Sequence, residues 1–170
     1  MHPGDVIPDL ALQKIGGGSW QLPADCHTDF TLLVVYRGLH CSVCSRYLAE
    51  LTDHMPALVE LGVTVIATSA DTEEKASKAW REWTGERVPM GYGLDEDVGR
   101  ALGLFLSSAR KAVEPDRFFE PGLYLVKKDG GLLFVSLQNM PFGRTPIQDL
   151  VEWIPKIVAN GIPPRGTQRY

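Results

Sequence analysis

The chain has 170 residues, and its 17 lysines and arginines against 21 aspartates and glutamates leave a formal net charge of −4. At 44% hydrophobic and 22% charged residues it can bury an ordinary globular core. This acidic balance excludes an electrostatic pull toward nucleic acid or an anionic membrane, and no stretch approaches the ~20 apolar residues of a membrane span.

The opening segment MHPGDVIPDL has no basic start and no apolar run, so a secretory signal is not expected. The expected compartment is the cytoplasm, where thiols stay reduced. PDLALQKIGGGSWQLP reads as two short strands joined at Gly16-Gly17-Gly18. DFTLLVVYRG follows, a continuous apolar run suited to a central strand covered on both faces. Cys44, Leu48, Leu51, Met55 and Leu58 then step by four and three, one face of a helix, which Pro56 should kink or shorten and Gly62 should close. VTVIATS is a second buried strand. DTEEKASKAWREWTG is a polar-faced helix that Asp71 or Thr72 can cap and Gly85 ends, with Trp80 and Trp83 packing on the sheet. VPMGYGLD is a short extended piece and DEDVGRALGL a short helix. Residues 106–119 are polar and irregular, as a surface loop would be. GLYLVKKDGGLLFVSLQ reads as a hairpin turning at Asp129-Gly130-Gly131. TPIQDLVEWIPKIVANG is a last amphipathic helix, with Thr145 as cap and Pro146 at its first position. The order predicts an α/β fold with an antiparallel edge to its sheet. One domain over residues 1–170 is expected, with an N-terminal hairpin extension over 1–28 and a C-terminal tail over 162–170.

The chemistry concentrates in YRGLHCSVCSRYLAEL, where Cys41 and Cys44 lie three apart at a strand-to-helix junction. Three cysteines are too few for a disulfide scaffold, so the pair reads as redox-active or metal-binding. A zinc site needs a second ligand pair, and Cys26, His27, His40 and His54 show no ligand spacing. Covalent haem is excluded because Ser45, not histidine, follows Cys44. Cys41 opens the helix, so first-turn N–H groups should point at its sulfur and favour the thiolate. The helix dipole offers ~0.3–1 kcal/mol, up to ~2 when partly buried. A two-unit fall in pKa needs about 2.7 kcal/mol. Further N–H···S contacts, with Arg37 or a protonated His40, would supply the rest. Cys44 begins the apolar stripe and should be the shielded thiol, with Cys41 the exposed, attacking one. In a regular helix residues three apart hold their Cβ atoms about 5–6 Å apart, and a disulfide wants about 3.5–4.5 Å. The bond is therefore easy only if Cys41 sits at the cap, outside helical geometry, and the turn at Gly38 provides for that.

The stretch Y-R-G-x-H-C-x-x-C after a buried strand resembles the peroxiredoxin-like branch of the alkyl hydroperoxide reductase/thiol-specific antioxidant (AhpC/TSA) family, within the thioredoxin-fold superfamily. PGDVIPDLAL, LDEDVGRALGL and EPGLYLVKKDGGLLF are similar to further segments of that family, so the resemblance covers most of the chain. It implies a thioredoxin-like fold: a central mixed β-sheet flanked by helices. It also implies thiol chemistry without metal or organic cofactor, and regeneration by a thiol reductant such as a thioredoxin-type protein or glutathione. By the same analogy Pro121 would be the cis-proline facing the cysteines, and Arg144 a second guanidinium at the active face. The proline and threonine that peroxiredoxins place upstream of the peroxidatic cysteine correspond here to Val34 and Gly38. The resemblance thus leaves open whether Cys41 meets a peroxide or a protein disulfide, with Cys44 as resolving thiol in either case.

Other residues carry two readings. Arg37 either donates to a thiolate or peroxide oxygen, or pairs with a carboxylate. His40 either tunes the thiolate or shapes the rim of the site. Arg144 is either a site residue or a surface arginine. Cys26 is either an extra resolving thiol or an incidental cysteine. GYGLDE lacks a third glycine, so no dinucleotide site is expected. The expected activity is a thiol oxidoreductase, with a disulfide-exchange carrier or a redox-sensing interaction domain as alternatives. Unpaired hairpin edges leave a homodimer open.

Overall fold

The computed structural model describes residues 1–169. In chain order the elements are β1 (Leu10–Lys14), β2 (Ser19–Leu22), β3 (Phe30–Val35), α1 (Ser42–Glu60), β4 (Val63–Thr68), α2 (Glu73–Thr84) and β5 (Gly91–Tyr92). They continue with α3 (Glu96–Leu102), β6 (Leu106–Ser108), β7 (Arg117–Phe119), β8 (Gly122–Lys127), β9 (Leu132–Leu137) and α4 (Ile147–Asn160).

The central sheet has the order β4-β3-β8-β9. β3 runs parallel to β4 and antiparallel to β8, and β9 returns antiparallel on β8. The apolar run of β3 is continuous because both of its faces are covered. Phe30, Leu32, Val34 and Tyr36 point into one core, packed with Leu48 and Leu51 of α1, Ala79 of α2 and Ile154 of α4. Leu33 and Val35 point into the other, against Leu10, Leu12 and Leu22 of the N-terminal hairpin and Leu102 of α3. This arrangement of a β-α-β unit, a β-hairpin and a final helix is the thioredoxin-like α/β fold. The hairpin extension forms its own sheet, β2-β1-β5.

Local expectations hold where the signal is local. Thr72 caps α2 by accepting from the Lys75 N–H, and Gly85, at φ 55°, ends it in the left-handed conformation. Asp95 caps α3, and Asp129 accepts the Gly131 N–H in the last hairpin turn. α1 runs through Pro56 to Glu60. The proline removes one ladder bond without ending the helix, because the apolar face on either side of it is buried.

Three expectations are corrected. Residues 106–119 are not a structureless loop: β6 and β7 pair antiparallel, Leu106 opposite Phe119 and Ser108 opposite Arg117. That pairing has no periodic signature, since only Phe118 and Phe119 are buried. Thr145 does not cap α4. Pro146 is the cap residue, without a side-chain bond, and the Thr145 carbonyl accepts from the Tyr47 hydroxyl at 2.8 Å. The Glu120–Pro121 bond is trans; the cis peptide bond among the described residues is Leu22–Pro23. The tail turns back on the N-terminal segment, where Arg169 donates to Asp5 at 2.6 Å. Tyr170 lies outside the described residues. No helix among them is long and apolar enough to cross a membrane.

Candidate active site

The site forms where β3 gives way to α1. Gly38, at φ 130°, makes the turn in a conformation that favours glycine. A Cβ there would also stand 2.8 Å from Asp71 Oδ1. The Asp71 carboxylate occupies that space and accepts the Leu39 N–H at 2.7 Å. Burial raises the Asp71 pKa, against the pull of the Leu39 N–H and Lys75. The turn leaves Cys41 as the N-cap of α1, in extended conformation, and its sulfur accepts the Cys44 N–H at 3.2 Å. Escaping helical geometry in this way lets the two residues meet. Cys41 and Cys44 are joined as a disulfide across a Cα separation of 5.2 Å, inside the usual range.

Cys41 is not the exposed thiol its position at the helix end suggested. It is 4% exposed and Cys44 0%, and both belong to the apolar cluster on the α1 face of the sheet. The N-terminus of a helix is open only if nothing packs across it, and here Leu39 packs on the same cluster and Arg144 lies on Cys44. The order of access survives: Cys41 is the sulfur-bearing residue nearer the surface.

The cation at the dithiol is Arg144. Its Nη2 donates to Cys44 Sγ at 3.1 Å, its Nε donates to the Pro141 carbonyl, and the guanidinium lies 4.7 Å over the Tyr47 ring. Burial brings the Arg144 pKa down to about 10, with Arg37 pushing the same way and Tyr47 and Glu120 opposing. The group remains a cation at neutral pH. Pro121 lines a small cavity together with Tyr47 and Arg144. Of the two readings of Arg144, the structure brings it to the sulfurs.

Arg37 does not reach them. It lies between Glu120 (Nε to Oε2, 3.3 Å) and Glu114 (Nη2 to Oε1, 3.5 Å), stacked 4.6 Å over Phe118. Ser107 donates to the other Glu120 oxygen at 2.7 Å. Arg37 is thus bound to carboxylates, and the hairpin of β6 and β7 is tied to the site through it. His40 packs edge-on against Phe118 at 4.8 Å, with its buried Nε2 unpartnered. Burial, helped by Arg37, lowers its pKa, so at neutral pH it is no cation for the thiolate. Cys26 is buried and free, in the cluster on the opposite side of the sheet. It cannot meet Cys41 without unfolding that core.

The depressed His40 pKa has a measurable consequence. A folded-state pKa below the unfolded value gives stability that is present above pH 6.5 and is lost as pH falls toward the folded pKa. His54, whose pKa is raised chiefly by the Glu50 carbonyl, works in the opposite sense. Thermal melts at pH 8 and pH 5.5 on the wild type and His40→Gln isolate the first effect. The variant should lose less stability on acidification; an equal loss in both would refute the assignment.

Sequence reasoning missed Tyr47, Glu114, Glu120 and Asp71. Tyr47 alone had a usable signal, lying one helical step after Cys44. Asp71 arrives from the end of β4, and Glu114 and Glu120 arrive on the β6–β7 hairpin, all far from Cys41 in the chain.

Fold and site together define a thioredoxin-fold dithiol protein in which Cys41 caps a helix and closes a disulfide with Cys44 inside it. The model of the AhpC/TSA family matches residues 3–135, and the chain belongs to that family: it is a peroxiredoxin-like thiol oxidoreductase. A protein of Pyropia yezoensis named as a candidate peroxiredoxin, ycf42, is 22% identical over 150 residues, covering 85% of this chain and 73% of its own. The crystal structure of the peroxidoxin BcpB from Mycobacterium tuberculosis superposes with a TM-score of 0.75 at 16% identity, over 92% of this chain and 98% of that one. A mutant of peroxiredoxin 6 from Arenicola marina gives 0.79 at 15% identity, over 95% and 76%. At these identities the two structures speak for the fold alone.

Proposed function

We propose that the chain reduces a hydroperoxide through the Cys41 thiolate, with Cys44 as resolving thiol. The observation that carries this is the disulfide between a cap cysteine bonded to a first-turn N–H and a buried cysteine bonded to a guanidinium. The Cys41 thiolate attacks one peroxide oxygen. The O–O bond breaks, the leaving alkoxide or hydroxide takes a proton, and Cys41 becomes a sulfenic acid. The Cys44 sulfur attacks it, expelling hydroxide that leaves as water, and the disulfide closes. A thiol reductant then attacks the more accessible sulfur, Cys41. Cys44 leaves as a thiolate that Arg144 stabilises, since a better-stabilised leaving thiol departs faster.

One observation favours a second reading, disulfide exchange without peroxidase activity. Gly38, at the family's threonine position, has no side chain to hold a peroxide, and the space beside it is filled by the Asp71 carboxylate. Stopped-flow mixing of the reduced protein with hydrogen peroxide separates the two. Oxidation of Cys41 far faster than that of a free thiol supports the peroxidase; a free-thiol rate overturns it in favour of disulfide exchange.

A further inference from the structure

Beside the dithiol, α1 and the segment 141–146 enclose an open groove of about 230 Å³. Val43, Arg46, Tyr47 and Glu50 form one wall, at spacings of three and four that put them on one helix face, and Phe142 and Arg144 belong to the other. Arg144 stands between groove and sulfur. Its Nε and one Nη2 hydrogen are engaged, and the other donors of its guanidinium have no protein partner among the described residues. Among the described residues, Arg46, Arg144 and Glu50 make no ion pair there. Arg46 and Glu50 are four apart but in the less favourable order, with the cation toward the helix N-terminus. The groove therefore presents two cations and one carboxylate, unpaired, around apolar walls and next to a disulfide. Its volume equals about eight waters at ~30 Å³ each, room for a free amino acid.

We infer that the groove binds a small zwitterionic amino-acid thiol, its α-carboxylate on Arg144 and Arg46 and its ammonium on Glu50, as the reductant of the Cys41–Cys44 disulfide. The reductant role rests on the redox reading above. The bound thiolate attacks Cys41 Sγ, the S–S bond breaks, and its electron pair passes to Cys44 Sγ, which Arg144 holds until water protonates it. A second thiolate attacks the ligand sulfur of the mixed disulfide. It releases the symmetrical amino-acid disulfide and the Cys41 thiolate.

The test uses the oxidised full chain. S-methylcysteine, which cannot exchange, should bind in calorimetric titration, and Arg46→Glu should weaken it at least tenfold. Cysteine should reduce the disulfide with saturation, at least tenfold faster than 2-mercaptoethanol at equal thiolate concentration, and that ratio should fall at least tenfold in Arg46→Glu. No binding of S-methylcysteine, binding unchanged in Arg46→Glu, or a rate linear in cysteine and no faster than 2-mercaptoethanol overturns the proposal. A disulfide that even 2-mercaptoethanol leaves intact overturns the redox reading and with it the reductant role, while the S-methylcysteine titration decides the groove by itself.

Discussion

Cys41→Ser should abolish thiol-dependent turnover, a loss of at least about a thousand-fold, because no covalent nucleophile remains at the accessible end of the pair. Cys44→Ser should behave differently. Its Cys41 can still attack, but the product cannot be resolved within the chain, so mixed disulfides with the reductant or substrate should accumulate. Non-reducing electrophoresis and intact-mass measurement read both results. The asymmetry follows from access and from donors: Cys41 retains slight exposure and the Cys44 N–H, whereas Cys44 is sealed beneath Arg144. Full turnover in Cys41→Ser, or the same trapped species from both variants, would end the assignment of roles.

Arg37→Met should be the most destabilising single change near the site that leaves both cysteines in place. Arg37 is the cation between Glu114 and Glu120, and the Glu120 side chain is only 7% exposed. Removing one partner of a buried pair leaves the other charge uncompensated, at a cost of about 3 kcal/mol. For a chain of this size that is a fall in Tm of roughly 6–12 °C. Adding Glu120→Gln to Arg37→Met should recover part of the loss, since the more buried of the two stranded carboxylates is then neutral. A single variant melting within a degree of wild type, or a double variant less stable than the single, would show that the network does not hold the β6–β7 hairpin to the site.

These two predictions draw on different kinds of information. The dithiol was legible in the sequence: an apolar run ending at Tyr36, a turn at Gly38 and a helical stripe from Cys44 place Cys41 at a cap, and those are short-range facts of backbone geometry. The resemblance to the AhpC/TSA family rested on the same stretch and on three further segments along the chain. Arg37 was legible only as a pair of alternatives. Its carboxylates come from a hairpin whose strands are three residues long, too short for any periodicity to announce that it would fold over the site. Arg144 lies a hundred residues from Cys44 along the chain, and no local pattern could tell a guanidinium on a sulfur from one in solvent.

By itself the sequence determined most of the strands, most helix ends and the capping position of Cys41, because these depend on residues within a few positions of one another. The tertiary structure alone decided how deeply the sulfurs lie, which arginine meets them and which is captured by carboxylates. Burial and charge pairing are properties of what packs across a site, and the elements that pack across this one arrive from distant parts of the chain.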